Sequence, residues 1–429
     1  MNSINFNKDI KKKVIIEEGE ELLHKHYPLS TVDKTKRLLV GVDAGSTQTR
    51  VLLIDDLNNE PDTTLYTIPS VSSFVPNDVE IRPQGDLLYN VMDSVIVNLK
   101  ALNETIFTKR RVVRGTKKTD FGGAENRISS SNQKIKSEVF YINIIDAIGY
   151  ALCQKYKDSI PKNVELVVGV ALPPDDRQST TNRNAFKRQL LGQYSWTHTD
   201  SDVSINIDIA ETTILTEPEA FIKAYYSTTD EEIPEYILHI NGGGRSIGVE
   251  LLANGIPIEK TSKSLYYGGT QLLDNLGELI AKTEGGRAAK EQALRKAINT
   301  GFLTSGKTVK DVVDYIKTVK AEMADKIYTD VTKYVFDAQQ EVAIEDIAEI
   351  SVSGRLFESG EYDISIADFL GEKYKQVSPN TEFIRMEGNL IPLGLAFSVC
   401  KDYYGFLEDS SIDLSAEPED NIDEDETYV

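Results

Sequence analysis

Two glycine-containing turns, each between two short apolar runs, are the part of this sequence that is best suited to chemistry. The first turn spans residues 43–49 and joins the apolar runs at 38–42 and 50–55. The second spans residues 241–246 and joins the runs at 236–240 and 247–252. A glycine in a turn lets backbone N–H groups approach a phosphate group without a Cβ in the way. Two such turns that face each other would hold a polyphosphate from opposite sides.

The side chains of the first turn supply further groups for a polyphosphate. Ser46 and Thr47 carry hydroxyl donors for phosphate oxygens, and Asp43 comes just before the glycine. Mg²⁺ keeps most of its water ligands and takes few carboxylates, so Asp43 alone could hold its hydration shell. Arg50 could neutralise phosphate charge, or it could point into solvent from the returning strand. The sequence therefore predicts a phosphate site with Asp43 as the metal anchor.

Both turns are predicted to lie between strands. A Walker loop or a dinucleotide-binding fingerprint would instead open a helix, and neither pattern occurs in this chain. The recurrence of a strand–turn–strand unit about 200 residues later indicates an internal duplication. A third apolar run, 347–352, leads into Ser353, Gly354 and Arg355.

Hydrophobic periodicity predicts the remaining elements. Further strands are expected at 164–172, 203–209 and 212–216, with short strands between 79 and 135. Helices are expected near 8–26, 86–103, 136–157, 176–192, from about 218, and near 269–283, 287–299, 308–340 and 391–404. The basic cluster of Lys109, Arg110 and Arg111 with Arg114, Lys117 and Lys118 is predicted to be a solvated hairpin.

Length, charge and hydropathy limit the kinds of protein that this chain could be. A chain of 429 residues is expected to form two domains. The net charge is −21, and residues 408–429 contain ten acidic and no basic residues, which predicts a disordered tail at 407–429. So acidic a chain is a poor direct ligand for DNA. No apolar run is long enough for a membrane helix and no signal peptide is recognisable, so a cytoplasmic protein without membrane contact is expected.

The order of these motifs resembles the actin superfamily, which includes the heat-shock ATPases and the sugar kinases. Residues 39–55 and 238–252 resemble its two phosphate motifs, and 350–357 resembles its adenosine motif. The resemblance runs from about 38 to 404 and includes three further segments: 216–220, which resembles the first connecting segment; 267–272, with Gly268 and Gly269 at the start of a helix; and 389–396, which resembles the closing helix.

This resemblance implies an α/β, actin-like two-lobed fold. In that fold two duplicated ribonuclease-H-like mixed sheets are flanked by helices, and the nucleotide lies in the cleft between the lobes. The implied division is an N-terminal extension at 1–36, domain I at 37–215 plus 389–406, and domain II at 216–388. The implied cofactor is Mg²⁺ with ATP or GTP.

Site residues follow from the same resemblance. Glu217 matches the glutamate that orients the attacking water, although a carboxylate is also favourable where a helix begins before Pro218. Asn241 stands where the family has an aspartate, which puts metal affinity and hydrolysis rate in question. Arg355 could stack on the base, or the base could be guanine. The implied nucleotide-binding set is Gly45, Ser46, Thr47, Gln48, Arg50, Gly242, Gly243, Gly244, Arg245, Ser246, Gly268, Gly269, Ser353, Gly354 and Arg355.

Among the branches of the superfamily, the chain looks most like the plasmid-segregation actins, ParM and its relatives. That likeness implies filaments that hydrolyse ATP or GTP, self-associate, and move plasmid DNA through a ParR-like DNA-binding adaptor. Two alternatives stay open: a small-molecule kinase of the sugar-kinase or activator type, and a nucleotide switch that does not polymerise.

Overall fold

The computed structural model describes most of the chain between residues 37 and 399. The ranges are 37–54, 64–76, 92–100, 105–114, 125–126, 134–199, 201, 203–229, 231–258, 260–284, 289–305, 308–336, 342–358, 365–386, 388 and 390–399. The predicted helix near 8–26, the N-terminal extension and the acidic tail lie outside these ranges.

Lobe I is built on a ten-stranded mixed sheet. Its order is β3-β2-β1-β8-β10-β9-β5-β6-β4-β7, with β1, β8 and β10 parallel to one another and the β1–β2 pair antiparallel. The strands are β1 (Arg37–Ala44), β2 (Gln48–Ile54), β3 (Leu65–Pro69), β4 (Ser72–Val75), β5 (Met92–Asn98), β6 (Lys109–Arg114), β7 (Glu125–Asn126), β8 (Asn163–Leu172), β9 (Gly192–His198) and β10 (Val203–Thr216).

In the described part of lobe I there are three α-helices: α1 (Glu138–Tyr156), α2 (Pro174–Gln178) and α3 (Thr180–Leu190). Helix α1 is apolar almost all round, and its side chains form one continuous core with the inner faces of β1, β2, β8 and β10. An apolar surface on every side of a helix is typical of an element buried between layers. Helix α1 therefore covers the centre of the sheet from which the first turn extends.

Lobe II repeats this plan with a six-stranded sheet. Its order is β13-β12-β11-β17-β18, with β14 also paired to β12; β11 and β12 are antiparallel, whereas β11, β17 and β18 are parallel. The strands are β11 (Tyr236–Gly242), β12 (Ile247–Ala253), β13 (Ile256–Pro257), β14 (Lys263–Leu265), β17 (Glu349–Ser353) and β18 (Glu382–Arg385). Both lobes thus place an antiparallel hairpin beside parallel strands.

The described residues of lobe II also form four α-helices and a small hairpin. The helices are α5 (Gly269–Glu284), α6 (Glu291–Thr300), α7 (Val313–Val331) and α8 (Ile366–Val377). The hairpin pairs β15 (Phe302–Ser305) with β16 (Thr308–Asp311). The apolar faces of these helices form a second core with β11, β12 and β17.

Two helices pack between the lobes: α4 (Glu217–Thr229) and α9, helical over 391–399. Their apolar side chains join the outer faces of both sheets in a third core. The helices can pack this closely because glycine has no Cβ. A Cβ on Gly41 would lie 2.0 Å from the Pro392 carbonyl oxygen, and a Cβ on Gly394 would lie 1.7 Å from the Ala220 carbonyl oxygen. The lobes are therefore joined through these two helices.

Several predicted elements differ from the structure. The predicted helix near 86–103 is wrong over 92–98, which is strand β5, because pairing with β6 and β9 outweighs a weak helical period. The helix expected over 308–340 begins only at Val313, after β16. The two strands expected at 203–209 and 212–216 are one strand, β10, with a bulge between Ile209 and Glu211.

The basic cluster on β6 is not a solvated hairpin. Arg111 and Arg114 are 8% and 1% exposed, and each lies against a buried carboxylate. Arg111 Nη2 donates to Asp93 Oδ2 at 2.7 Å, and Arg114 Nε donates to Asp146 Oδ2 at 2.6 Å. These ion pairs fasten β6 to β5 and α1, so Arg111 and Arg114 are structural, whereas Lys117 and Lys118 lie outside the described residues. Among the described residues, no helix has the length and apolar character needed to cross a membrane.

Candidate nucleotide-binding cleft

The turns that follow β1 and β11 face each other across a cavity between the lobes. A Cβ on Gly244 would lie 3.3 Å from both Ser46 Oγ and Thr47 Cγ2, so the two turns nearly touch. The cavity has a volume of about 340 Å³. Its lining residues are Asp43, Gly45, Ser46, Thr47, Gln48, Arg50, Leu65, Lys134, Glu217, Phe221, Asn241, Gly242, Gly243, Gly244, Ser246, Gly354, Arg355, Glu358, Gly388 and Ile391.

Ser70, at the end of β3, holds the first turn in shape. Its Oγ donates to the Gly45 carbonyl oxygen at 2.6 Å and its backbone N–H donates to the Thr47 carbonyl oxygen at 3.0 Å. Its Oγ also lies 2.9 Å from Thr49 Oγ1. With its carbonyl groups engaged from behind, the turn can offer donors to the cleft.

The start of α5 holds the second turn in the same way. Gly269 N–H donates to the Gly243 carbonyl oxygen at 3.1 Å, and Thr270 N–H donates to that of Gly244 at 2.7 Å. A Cβ on Gly268 would lie 2.5 Å from the Gly243 carbonyl oxygen. Gly268 and Gly269 therefore support the turn from behind and do not line the cavity.

Asp43 and Arg50 form an ion pair at the floor of the cleft. Arg50 Nη1 donates to Asp43 Oδ2 at 2.9 Å, so the Arg50 side chain lies in the cleft and not in solvent. Burial raises the pKa of Asp43, and the neighbouring Arg50 only partly offsets this effect. The carboxylate is thus desolvated beside a single guanidinium, a setting in which a further cation would be favourable.

Glu217 lies at the first position of α4 and accepts two hydrogen bonds inside the cleft. Thr216 caps this helix, because its Oγ1 accepts from Glu219 N–H at 3.0 Å. Lys134 Nζ donates to Glu217 Oε1 at 2.9 Å, and Asn241 Nδ2 donates to Glu217 Oε2 at 2.8 Å. Both carboxylate oxygens are therefore oriented by residues of other elements.

Lys134 is a cleft residue that the sequence did not reveal. It lies in a short 3₁₀ turn before α1, and 12% of its side chain is exposed. Burial alone would lower the pKa of Lys134, but Glu217 and then Asp43 outweigh burial and raise it. No local signal in the sequence marks Lys134, because its burial and its pairing with Glu217 depend on contacts between distant segments.

Asn241 connects Glu217 to a buried polar row beneath the cleft. Its Oδ1 accepts from Ser353 Oγ at 3.1 Å, and Ser353 Oγ lies 2.9 Å from His239 Nε2. Burial lowers the pKa of His239 to about 3, so this imidazole is neutral. The amide of Asn241 is thus fixed with its nitrogen toward Glu217. Ser353 does not line the cavity but contacts Asn241, which does.

Gln48 and Arg355 meet across the mouth of the cleft. Arg355 Nη2 donates to Gln48 Oε1 at 2.7 Å, and Arg50 Nη2 donates to the same oxygen at 3.2 Å. Gly354 makes this approach possible, since it has a φ of +91° and a Cβ there would lie 2.5 Å from the Gly242 carbonyl oxygen.

Comparison with solved structures identifies the architecture. The actin-like protein Alp7A superposes with a TM-score of 0.62 at 14% identity, covering 87% of this chain and 99% of Alp7A. The archaeal actin homologue Ta0583 in complex with ADP gives 0.58 at 14% identity, covering 86% and 99%. The 15-stranded ParM filament from Clostridium botulinum gives 0.58 at 14% identity, covering 86% and 100%. This chain has an actin-like fold.

The similarity lies in structure and not in sequence. No protein-family model and no curated protein matches the chain. The two-lobed, actin-like α/β fold that the motif order implied is therefore confirmed by superposition alone.

The actin-like cleft brings most of the predicted site residues together. The cavity is lined by every predicted residue of the first turn, by Glu217 and Asn241, by Gly354 and Arg355, and by all of the second turn except Arg245. Arg245, Gly268, Gly269 and Ser353 lie outside the lining. The additional lining residues are Leu65, Lys134, Phe221, Glu358, Gly388 and Ile391.

The carboxylates of this actin-like cleft fit a hydrated Mg²⁺ better than a tightly ligated metal. Among the described residues, no three His, Cys, Asp or Glu side chains are grouped to hold an ion by themselves. Asp43 and Glu217 line the same cavity and interact electrostatically. Mg²⁺ is commonly held by one or two carboxylates, waters and substrate phosphates, and Asp43 would be the protein's carboxylate in such an arrangement.

Proposed function

We propose that this actin-like chain binds ATP or GTP with Mg²⁺ in the cleft and forms filaments whose assembly depends on the bound nucleotide. The observation that carries the proposal is the meeting of the two glycine turns, which lie so close that a Cβ on Gly244 would be 3.3 Å from Ser46 Oγ. Their backbone N–H groups and the Ser46 and Thr47 hydroxyls would hold the β- and γ-phosphates from both lobes.

Hydrolysis would use the residues that converge below the turns. Glu217, fixed between Lys134 and Asn241, would orient the attacking water. Asp43 would hold the hydration shell of Mg²⁺, which neutralises charge that develops on the phosphates. Arg50 would neutralise phosphate charge, and Asn241, which brings no charge of its own, would leave Asp43 as the main metal anchor.

Filament formation would follow from closure of the lobes around the nucleotide. Closed subunits that stack head to tail make contacts that do not close into a ring, and such contacts generate helical filaments. The C. botulinum ParM to which the fold is similar was solved as a filament. Hydrolysis would open the lobes and weaken the stack. The lobes would correspond to 37–215 plus 389–406 and to 216–388.

As the biological role, we propose segregation of plasmid DNA in the cytoplasm through a DNA-binding adaptor of the ParR type. The net charge of −21 supports an intermediary, because direct binding would bring an acidic protein against the DNA phosphates. Addition of a candidate adaptor with its DNA site should recruit filaments to the DNA, and the filament protein alone should not bind it.

Light scattering and negative-stain electron microscopy test the filament proposal. The purified chain is incubated with Mg·ATP, with Mg·GTP, with each nucleoside diphosphate, and without nucleotide. Filaments are expected with at least one triphosphate and not without nucleotide. Nucleotide binding without polymers in any condition would favour the nucleotide switch, and absence of binding would reject the proposal altogether.

A further inference from the structure

We propose that Arg355 recognises the phosphate chain of the nucleotide and not its base, acting together with Arg50 from the opposite lobe. This inference rests on the proposed nucleotide binding and assigns a role within that site. It differs from base stacking, the role that the position of Arg355 in the adenosine-like motif suggests.

The direction of the Arg355 side chain is the first observation. Arg355 follows β17 in lobe II, yet its guanidinium reaches the first phosphate turn of lobe I and donates to Gln48 Oε1 at 2.7 Å. Gln48 follows Ser46 and Thr47 in the chain, and all three residues line the cavity. The guanidinium thus lies beside the groups suited to phosphate oxygens.

The convergence of two guanidinium groups is the second observation. Arg50 Nη2 and Arg355 Nη2 donate to the same oxygen, Gln48 Oε1, from opposite lobes. Two cations held this near each other repel. Burial lowers the pKa of Arg355 most, and the positive charge of Arg50 lowers it further. Glu358 offsets part of this repulsion. A neutral amide oxygen is a weak acceptor for two guanidinium groups, whereas a phosphate oxygen would satisfy both.

The charges elsewhere in the cleft strengthen this reading. The Asp43 carboxylate pairs with Arg50, and the Glu217 carboxylate pairs with Lys134, while Glu358, the third acidic residue of the lining, acts electrostatically on Arg355. Arg355 places a guanidinium at the mouth of the cavity, where it donates to the neutral amide of Gln48. An anionic ligand complements this charge, and a neutral base does not.

The arrangement also links ligand charge to the position of the lobes. A phosphate that replaced Gln48 Oε1 between the two guanidinium groups would be held by lobe I through Arg50 and by lobe II through Arg355. Each added phosphate charge would then favour the closed cleft, because only that state brings both donors to the anion.

Calorimetric titration of a ligand series tests the assignment. Wild type, Arg355→Ala and Arg355→Lys are titrated with the nucleoside, its monophosphate and its diphosphate, in the adenine and guanine series and with Mg²⁺. Arg355→Ala should lower affinity for the diphosphate by about tenfold, the scale of a charge-assisted hydrogen bond at an exposed site, and leave nucleoside affinity nearly unchanged. Arg355→Lys should recover part of the loss, since it keeps the charge but not the planar fork.

Arg188→Ala provides the matched control, because it removes one exposed arginine from α3, outside the cavity lining. It should leave the whole series unchanged. If Arg355→Ala lowers the affinity for nucleoside and diphosphate equally, Arg355 stacks on the base and the assignment is overturned. If Arg355→Ala lowers the affinity for neither ligand, the assignment is also overturned. A wild-type chain that binds none of the series would reject the proposed nucleotide binding itself, which separates the two failures.

Discussion

At the scale of single residues, the amide of Asn241 reduces the negative charge beside Glu217 in the cleft. Asn241 Nδ2 donates to Glu217 Oε2, whereas an aspartate would place a second carboxylate 2.8 Å from the first. Without a cation, two carboxylates at this distance repel each other. The asparagine therefore avoids this repulsion when no ligand is bound, but it does not supply a charged ligand for a metal ion.

Asn241→Asp should make stability depend on Mg²⁺. In EDTA the free energy of unfolding should fall by about 1–3 kcal/mol, because a buried hydrogen bond is lost and a like-charge pair is created. Mg²⁺ with nucleotide should restore stability and should speed hydrolysis relative to wild type. Thermal unfolding in EDTA and in Mg²⁺ measures the first effect. Identical melting temperatures in the two conditions would contradict this account of Asn241.

Glu217→Gln tests the proposed catalytic carboxylate. The glutamine keeps the shape of the side chain but cannot accept a proton, so nucleotide affinity should persist while turnover falls by about a hundredfold or more. Single-turnover phosphate release is the measurement. Glu211→Gln, on the exposed edge of β10, is a matched control that should release phosphate at the wild-type rate. Unchanged release in Glu217→Gln would remove this residue from the mechanism.

Sequence could predict the residues whose types and local order carry the chemistry, such as Gly45, Ser46 and Gly244. It could not predict Lys134 in the cleft or Arg111 in the core. Lys134 meets Glu217 only because α1 and α4 converge at the cavity, and Arg111 is buried only because β5 brings Asp93 beside it. Such pairings depend on tertiary contacts between distant segments.

At the scale of elements, close helix packing between the lobes explains several glycines. Gly394→Ala should lower the free energy of unfolding by about 1–3 kcal/mol or more, because its Cβ would meet the backbone of α4 and not a flexible side chain. Gly248→Ala, on β12, is the control, since its Cβ would lie no closer than 3.5 Å to any neighbour. Denaturant unfolding compares the two. Equal stability of both variants would contradict the packing described for α9.

Glu250 should make the junction between β12 and the end of β10 sensitive to pH. Its carboxylate accepts from Thr216 Oγ1 and Ser262 Oγ, and burial raises its pKa from 4.5 to about 7. A carboxyl group with a raised folded-state pKa contributes stability at low pH that is lost as pH rises from about 4.5 to about 7.

Unfolding free energies at pH 5 and pH 8 measure this effect. The wild type should lose about 2–3 kcal/mol more than Glu250→Gln over this interval, by the conversion of about 1.4 kcal/mol per pKa unit. The glutamine variant keeps a hydrogen-bonding side chain and does not titrate. A wild-type profile parallel to that of the variant would show that Glu250 does not control stability in this range.

The secondary-structure predictions were wrong where the local hydrophobic pattern and the tertiary strand pairing disagreed. β5 contains Val95, Ile96 and Val97, a β-branched run that favours a strand, but the surrounding apolar spacing resembled a helix. Helix α8 carried no prediction, although Ser365 and Asp368 form a capping box at its start. That signal was available in the sequence.

At the scale of the whole molecule, the duplicated hairpins explain why so much of the fold was predictable. Their order along the chain specified two similar lobes, and the superpositions on actin-like structures confirm that arrangement. The relation between the lobes was not encoded locally. It depends on α4, α9 and contacts such as that of Asp175, whose Oδ2 accepts from Tyr266 Oη at 3.0 Å.

The central claim is that nucleotide in this cleft controls assembly, and one variant tests it directly. Gly244→Val would fill the gap between the two turns, because even a Cβ there lies 3.3 Å from Ser46 Oγ. Sedimentation of wild type and variant with and without Mg·ATP or Mg·GTP is the measurement. The wild type should pellet only with a nucleoside triphosphate, and Gly244→Val should stay in the supernatant throughout. Equal nucleotide-dependent pelleting of the two proteins would contradict the account.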